Sequence, residues 1–160
     1  CRPSGTNRCI VSLMTNSTNP SPVFAILGLD HVVLRVSDMK RSIIFYCDIL
    51  GCTLERSVDN LGLVQLRAGA SLIDLIDVAG TLGQGGGPAP SNTAHNVDHF
   101  CIRIEPFDII SLRTLFDSNG LSFEEPGRRY GADGFGPSIY LRDPSGNSLE
   151  LKGPPEATRD

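Results

Sequence analysis

The chain has little of what several large function classes require. Its apolar runs fall far short of the ~20 residues a helix needs to cross a bilayer, so a membrane is not an expected partner. Basic residues are too few and too scattered for nucleic acid: 14 Lys and Arg against 18 Asp and Glu, a net charge of −4 and no basic stripe. The five cysteines, Cys1, Cys9, Cys47, Cys52 and Cys101, are odd in number and include no CxxC pair or zinc-ribbon spacing. Cys47 and Cys101 sit inside apolar patterns and read as small core residues. A reducing, cytoplasmic compartment is the expectation. Glycines and prolines crowd residues 79–96, but no Gly-Lys-Ser/Thr follows them and the spacing of a dinucleotide fingerprint is absent. Cys9 to Met14 is too short for the apolar region of a secretory signal, so the Asn16-Ser17-Thr18 sequon is expected to stay unused.

What is present is an ordinary globular composition. The chain has 160 residues, 40% apolar and 20% charged, enough for one cored domain or two small fused modules. One pattern occurs twice. Leu29-Asp30-His31-Val32-Val33-Leu34-Arg35-Val36 and Val97-Asp98-His99-Phe100-Cys101-Ile102-Arg103-Ile104 agree in residue class at every position, 68 residues apart, and are identical at Asp, His and Arg. A repeat at that distance indicates one structural unit used twice. Both copies read as strands, in which alternate side chains share a face. His31, Val33 and Arg35 therefore lie on one face, and His99, Cys101 and Arg103 on the matching face of the second copy.

The order of elements repeats as well. A helix over 38–50, capped by Ser37 or Asp38 and closed by Gly51, is followed by strands at 52–58, 61–67 and 71–78. After the second copy comes a helix near 107–119, closed by Gly120, then strands near 121–125, 136–142 and 147–152. Each half reads β-α-β-β-β. The expected fold is α+β, with modules 28–79 and 97–153 joined by a flexible linker over 80–96 that holds neither helix nor strand. Residues 1–27 read as a disordered leader, with Met14 a candidate start, or as an arm that packs on a neighbour, and the tail 154–160 as frayed. Gly127 to Gly136, just before the seventh strand, is expected to be a hairpin connection or a loop that closes over a cleft mouth.

The repeat also carries carboxylates. Ile73-Asp74-Leu75 closes the first unit and Leu149-Glu150-Leu151 the second. A carboxylate among apolar neighbours is costly to bury without a partner. One histidine and one carboxylate per half suit a divalent metal such as Zn, Fe, Mn, Ni or Co. A single strand histidine or terminal glutamate is ordinarily structural or solvated, so the weight rests on the duplication. Arg35 and Arg103, two strand positions past the histidines twice over, are candidates for holding an anionic substrate; their alternative is pairing with strand carboxylates or leaning out at a rim.

With these strands, Phe45-Tyr46-Cys47-Asp48-Ile49-Leu50-Gly51 and Tyr140-Leu141-Arg142-Asp143-Pro144-Ser145-Gly146-Asn147-Ser148-Leu149-Glu150 make the chain resemble the vicinal oxygen chelate superfamily over about residues 28–152. The superfamily includes glyoxalase I, fosfomycin resistance proteins, extradiol dioxygenases and methylmalonyl-CoA epimerase. The likeness is greatest to small glyoxalase-domain proteins with a Ser-Ile-Tyr-x-Arg-Asp-Pro strand, here Ser138 to Pro144. It implies two βαβββ modules curled around one divalent metal held by His31, His99 and Glu150. The fourth position falls on Asp74, where glyoxalase I has Glu and the epimerase Gln. Without Asp74, the two-His-one-carboxylate set leans toward Fe(II) or Mn(II).

The resemblance implies a glyoxalase-like lyase or isomerase working through metal-stabilised enediolate chemistry on a small oxygen-bearing substrate. Glu150 would be the base, Asp74 the second candidate, and Tyr140 would join the two arginines in binding substrate. An extradiol-type dioxygenase is the alternative enzyme, but its upstream histidine is replaced by Gly131-Ala132-Asp133. A non-catalytic protein that sequesters a small molecule such as an antibiotic is the other alternative. A homodimer, sometimes with exchanged modules, is the expected assembly.

Overall fold

The computed structural model of the protein describes residues 24–91 and 93–157. The expectations for Cys1, Cys9, Met14, the Asn16 sequon and residues 158–160 lie outside the described residues. The first module runs β1 (His31–Val36), α1 (Met39–Ile43), β2 (Thr53–Val58), β3 (Leu63–Ala68) and β4 (Ser71–Asp77). A one-turn helix α2 (Thr81–Gln84) precedes β5 (Phe100–Arg103), α3 (Ile109–Ser118), β6 (Gly127–Gly131), β7 (Gly134–Arg142) and β8 (Ser148–Lys152). Two four-stranded mixed sheets result, ordered β1-β4-β3-β2 and β5-β8-β7-β6. In each, the first strand pairs parallel to the last, and the remaining pairs are antiparallel hairpins. The helix in each module supplies the crossover that a parallel pair needs.

Local chemistry explains the helices. Asp38 accepts from Arg41 N at 2.9 Å and starts α1, which widens beyond Ile43 into π-helical turns over Ile44–Ile49. Gly51, at φ 80°, ends that run in a conformation that favours glycine. Asp108 caps α3 through Ile110 N and Ser111 N, and Gly120, at φ 64°, closes it.

Leu34 and Val36, Ile73 and Leu75, Ile139 and Leu141, and Leu149 and Leu151 alternate along their strands and are buried in one core spanning both modules. The histidines lie on the opposite faces. Polar ties also cross between modules: Tyr46 OH donates to Asp143 Oδ2 at 2.9 Å, Ser37 N to Ser145 Oγ at 3.1 Å, and Asn96 Nδ2 to both Arg35 O and Asn147 Oδ1.

Four expectations need correction. The segment 121–125 contributes only an isolated bridge, Phe123 to Leu141, and the outer strand is Gly127–Gly131. Pro126 has no N–H to offer a ladder, so pairing starts after it. The linker is not structureless. It contains α2, in which a Cβ at Gly83 would stand 1.9 Å from Asp77 O, so only glycine fits that seat. The tail is tied down as far as Glu156: Gly153 N donates to Pro137 O at 2.8 Å, and Glu156 N to Phe135 O at 2.7 Å. Cys101 is exposed, because it stands on the His-bearing face of β5, whereas Cys47 packs half-buried against the core as expected; Cys52 is the buried thiol.

Candidate functional site

Strand register builds the same arrangement twice. In the first sheet Asp74 stands between Val33 of β1 and Gln65 of β3; in the second, Glu150 stands between Cys101 of β5 and Tyr140 of β7. Both carboxylates are 6% exposed. Gln65 Nε2 donates to Asp74 Oδ2 at 2.8 Å, while Asp74 Oδ1 is buried with no partner among the described residues. Ser138 Oγ donates to Glu150 Oε1 at 2.5 Å, and Glu150 Oε2 lies 3.5 Å from His99 Nε2.

The histidines are held alike. Asp30 Oδ1 meets His31 Nδ1, and Asp98 Oδ1 meets His99 Nδ1, both at 2.6 Å. A carboxylate only accepts, so each Nδ1 carries the proton and Nε2 is the ring atom left toward the cleft, the orientation usual for metal-bound imidazole. The Asp30 hydrogen bond raises the His31 pKa above 6.5, Asp74's charge adding to it and burial opposing it.

The neighbours of Glu150 respond to its charge. Burial and then Glu150 push the Cys101 thiol up to about 11. Burial and then Glu150 also raise the Tyr140 phenol, with Arg129 opposing. The Tyr140 ring stands edge to face with His99 at 5.5 Å between centroids.

The Asp-Pro-x-Gly segment sets this register. Buried Asp143 accepts from Ser145 N, Asn147 N and Asn147 Nδ2 at 2.8–2.9 Å, and Gly146 turns the chain at φ 85°. The tight turn starts β8 so that Glu150 falls opposite Tyr140.

The structure brings together some of the expected site residues and not others. His99, Glu150 and Tyr140 meet in one cluster. Among the described residues, however, no three His, Cys, Asp or Glu side chains gather closely enough to hold a metal ion. The expected meeting of His31, His99 and Glu150 therefore does not occur within one chain. The physical reason is the docking of the modules, which share the core on the faces opposite their histidines.

Arg35 does not offer a free guanidinium. Its Nη atoms donate to the carbonyls of Gly83, Gly86, Gly87 and Pro88 at 2.7–3.0 Å, strapping the linker to β1. Arg103 pairs with Asp133 at 2.5 Å. Sequence reasoning missed Gln65, Ser138, Asp133 and Lys152. Ser138 lay inside the Ser-Ile-Tyr motif and was within reach, whereas Gln65 becomes visible only through the β3–β4 register.

A virulence protein of Salmonella typhimurium is 30% identical at a TM-score of 0.65, the match covering 81% of this chain and 98% of that one. A lactoylglutathione lyase of Agrobacterium tumefaciens (23%, TM-score 0.57, covering 80% and 94%) and an antibiotic-binding protein of a Streptomyces species (18%, TM-score 0.60, covering 82% and 98%) share the fold. The profile of the Glyoxalase/Bleomycin resistance protein/Dioxygenase superfamily matches residues 28–151, and with the duplicated βαβββ modules and His–carboxylate faces it makes this chain a member of that superfamily.

Proposed function

We propose that the protein is a divalent-metal-dependent, glyoxalase-like lyase or isomerase for a small oxygen-bearing substrate, working as a homodimer whose site is completed by a second copy. The observation that carries this reading is the pair of half-sites. His99 and Glu150 meet in one module, and His31 and the unpartnered Asp74 Oδ1 stand in the other. Two imidazoles whose Nδ1 atoms are held by Asp30 and Asp98, and two buried carboxylates, fit a divalent cation, and one orphaned buried oxygen lacks the partner such an ion would be. β1 and β5 are the outer strands of their sheets, with no strand on their far edges among the described residues. A two-fold axis that sets β1 of one copy beside β5 of the next covers both edges and unites the half-sites.

When bound, the ion polarises the substrate's oxygens and stabilises the charge that develops on them. The chain's own groups do the rest. Glu150 takes the proton beside the substrate carbonyl; Ser138 fixes Oε1, which leaves Oε2 to receive it. Asp74 is the second acceptor. Asp30 and Asp98 hold the imidazoles in one tautomer, and Tyr140 walls the cleft beside His99.

The test is metal content by mass spectrometry. Wild-type protein is expected to bind one ion per chain, and Glu150→Gln and His31→Ala to lose it. Mixing those two variants and allowing subunit exchange should restore about a quarter of the sites on random pairing, because one of the two sites in each mixed dimer is intact. No recovery, or a monomeric mass, refutes the shared site. Metal-free wild-type protein favours the sequestering role instead.

A further inference from the structure

Beside Glu150 lies a cavity most of whose lining the half-site does not use. It measures about 230 Å³ and is lined by Cys101, Arg103, Glu150 and Lys152 and roofed by Tyr130 and the β6–β7 turn at Ala132-Asp133. Lys152 is 7% exposed, yet among the described residues no ion pair includes it. Its Nζ donates to Arg129 O at 2.6 Å and Gly136 O at 3.5 Å, so one N–H is unassigned. A buried ammonium held only by carbonyl dipoles is costly, and an anion would relieve it.

Arg103, across the same cavity, is 67% exposed, and among the described residues its one carboxylate partner is Asp133 at the tip of the two-residue turn. Gly131 keeps the roof close: a Cβ there would stand 2.6 Å from Lys152 Cε.

We propose that this cavity binds the anionic group of a small acid whose other end presents the chelating oxygens. The inference rests on the metal-site reading above and names its substrate class. Glu150 and Lys152 are two residues apart on β8, so the two ends lie roughly 7 Å apart at the usual rise of a strand. That spacing fits a free acid of four to six carbons. The cavity is smaller than the ~300–1,000 Å³ pockets that enclose larger ligands, which disfavours a peptide-thiol adduct or a coenzyme ester. Arg103 supplies a planar fork and Lys152 a point charge. Asp133 occupies the fork in the absence of ligand and must yield it.

The probes are 2-oxoglutarate and 2-oxovalerate, equal in carbon number and different in the distal carboxylate, titrated by calorimetry into the metal-loaded full chain. The diacid should bind about tenfold more tightly, the worth of one charge-assisted pair. Arg103→Met and Lys152→Met should bring the two probes to near-equal affinity with metal stoichiometry unchanged. Asp133→Asn should widen the preference. The exposed position of Arg103 keeps the test decisive if the Lys152 variant fails to fold. Equal affinities in the wild type, or a preference that survives Arg103→Met, overturn the proposal.

Metal content is measured first, with the metal alone. If none binds, the metal-site reading fails by itself, and the subsite is judged on metal-free protein with glutarate against butyrate. Amide shifts confined to residues 127–136 that disappear in Arg103→Met support it, and their absence overturns it.

Discussion

Replacing Tyr46 by phenylalanine deletes one oxygen from the seam between the modules. That hydroxyl belongs to a fully buried side chain and donates to Asp143, the residue that organises the turn before Glu150. Asp143 keeps three other donors, Ser145 N, Asn147 N and Asn147 Nδ2, so its charge is not stranded. The loss is therefore set at the lower end of the range for a hydrogen bond to a charged group, about 1.5 kcal/mol. For a chain of this length that corresponds to a melting temperature lower by about 3–6 °C.

The check is urea unfolding followed by circular dichroism, with the midpoint shifted and the slope unchanged. The pH dependence adds a second check. Burial, and then the Asp143 charge, hold the Tyr46 pKa well above its usual value. A raised folded-state pKa means that stability is present below the ordinary tyrosine value of ~10 and falls as pH climbs past it, because the unfolded chain releases the proton first. The Tyr46→Phe variant has no such proton to release, so the gap between the two proteins should narrow above pH ~10. An unchanged midpoint, or a gap that stays constant across that range, refutes the role given to this bond.

Two further outcomes follow from the site and the linker. Glu150→Gln should speed alkylation of Cys101 at pH 8.5 by a few-fold, read by peptide mass spectrometry, because the carboxylate contributes, after burial, to holding that thiol near 11. Arg35→Met removes four donor bonds to the linker, so amide exchange should accelerate across residues 79–90 while β7 and β8 stay protected.

Much of the molecule was legible in the chain because the signals are local. Strand alternation put His31 and His99 on equivalent faces, and the Asp and Gly residues at helix ends marked where α1 and α3 begin and stop. The duplicated Asp-His-x-x-x-Arg pattern exposed the repeat, and the Asp-Pro-x-Gly turn marked the approach to Glu150. The outer strand of the second sheet was misplaced because Pro126 acts on pairing with β7, a partner that residues 121–131 do not announce.

The same limit applied to the arginines. Arg35 and Arg103 are equivalent in sequence, yet one straps the linker through Gly83 to Pro88 and the other pairs with Asp133 across a cavity. Their fates depend on carbonyls and a turn far along the chain. By itself, the sequence indicated two repeated βαβββ units, the alternating faces of the strands it located, and one His and one carboxylate in each unit. Tertiary structure alone decided whether those faces meet. Both units bury their Leu, Ile and Val in one common core, and docking through that core leaves the His31 half-site and the His99 half-site apart within a single chain.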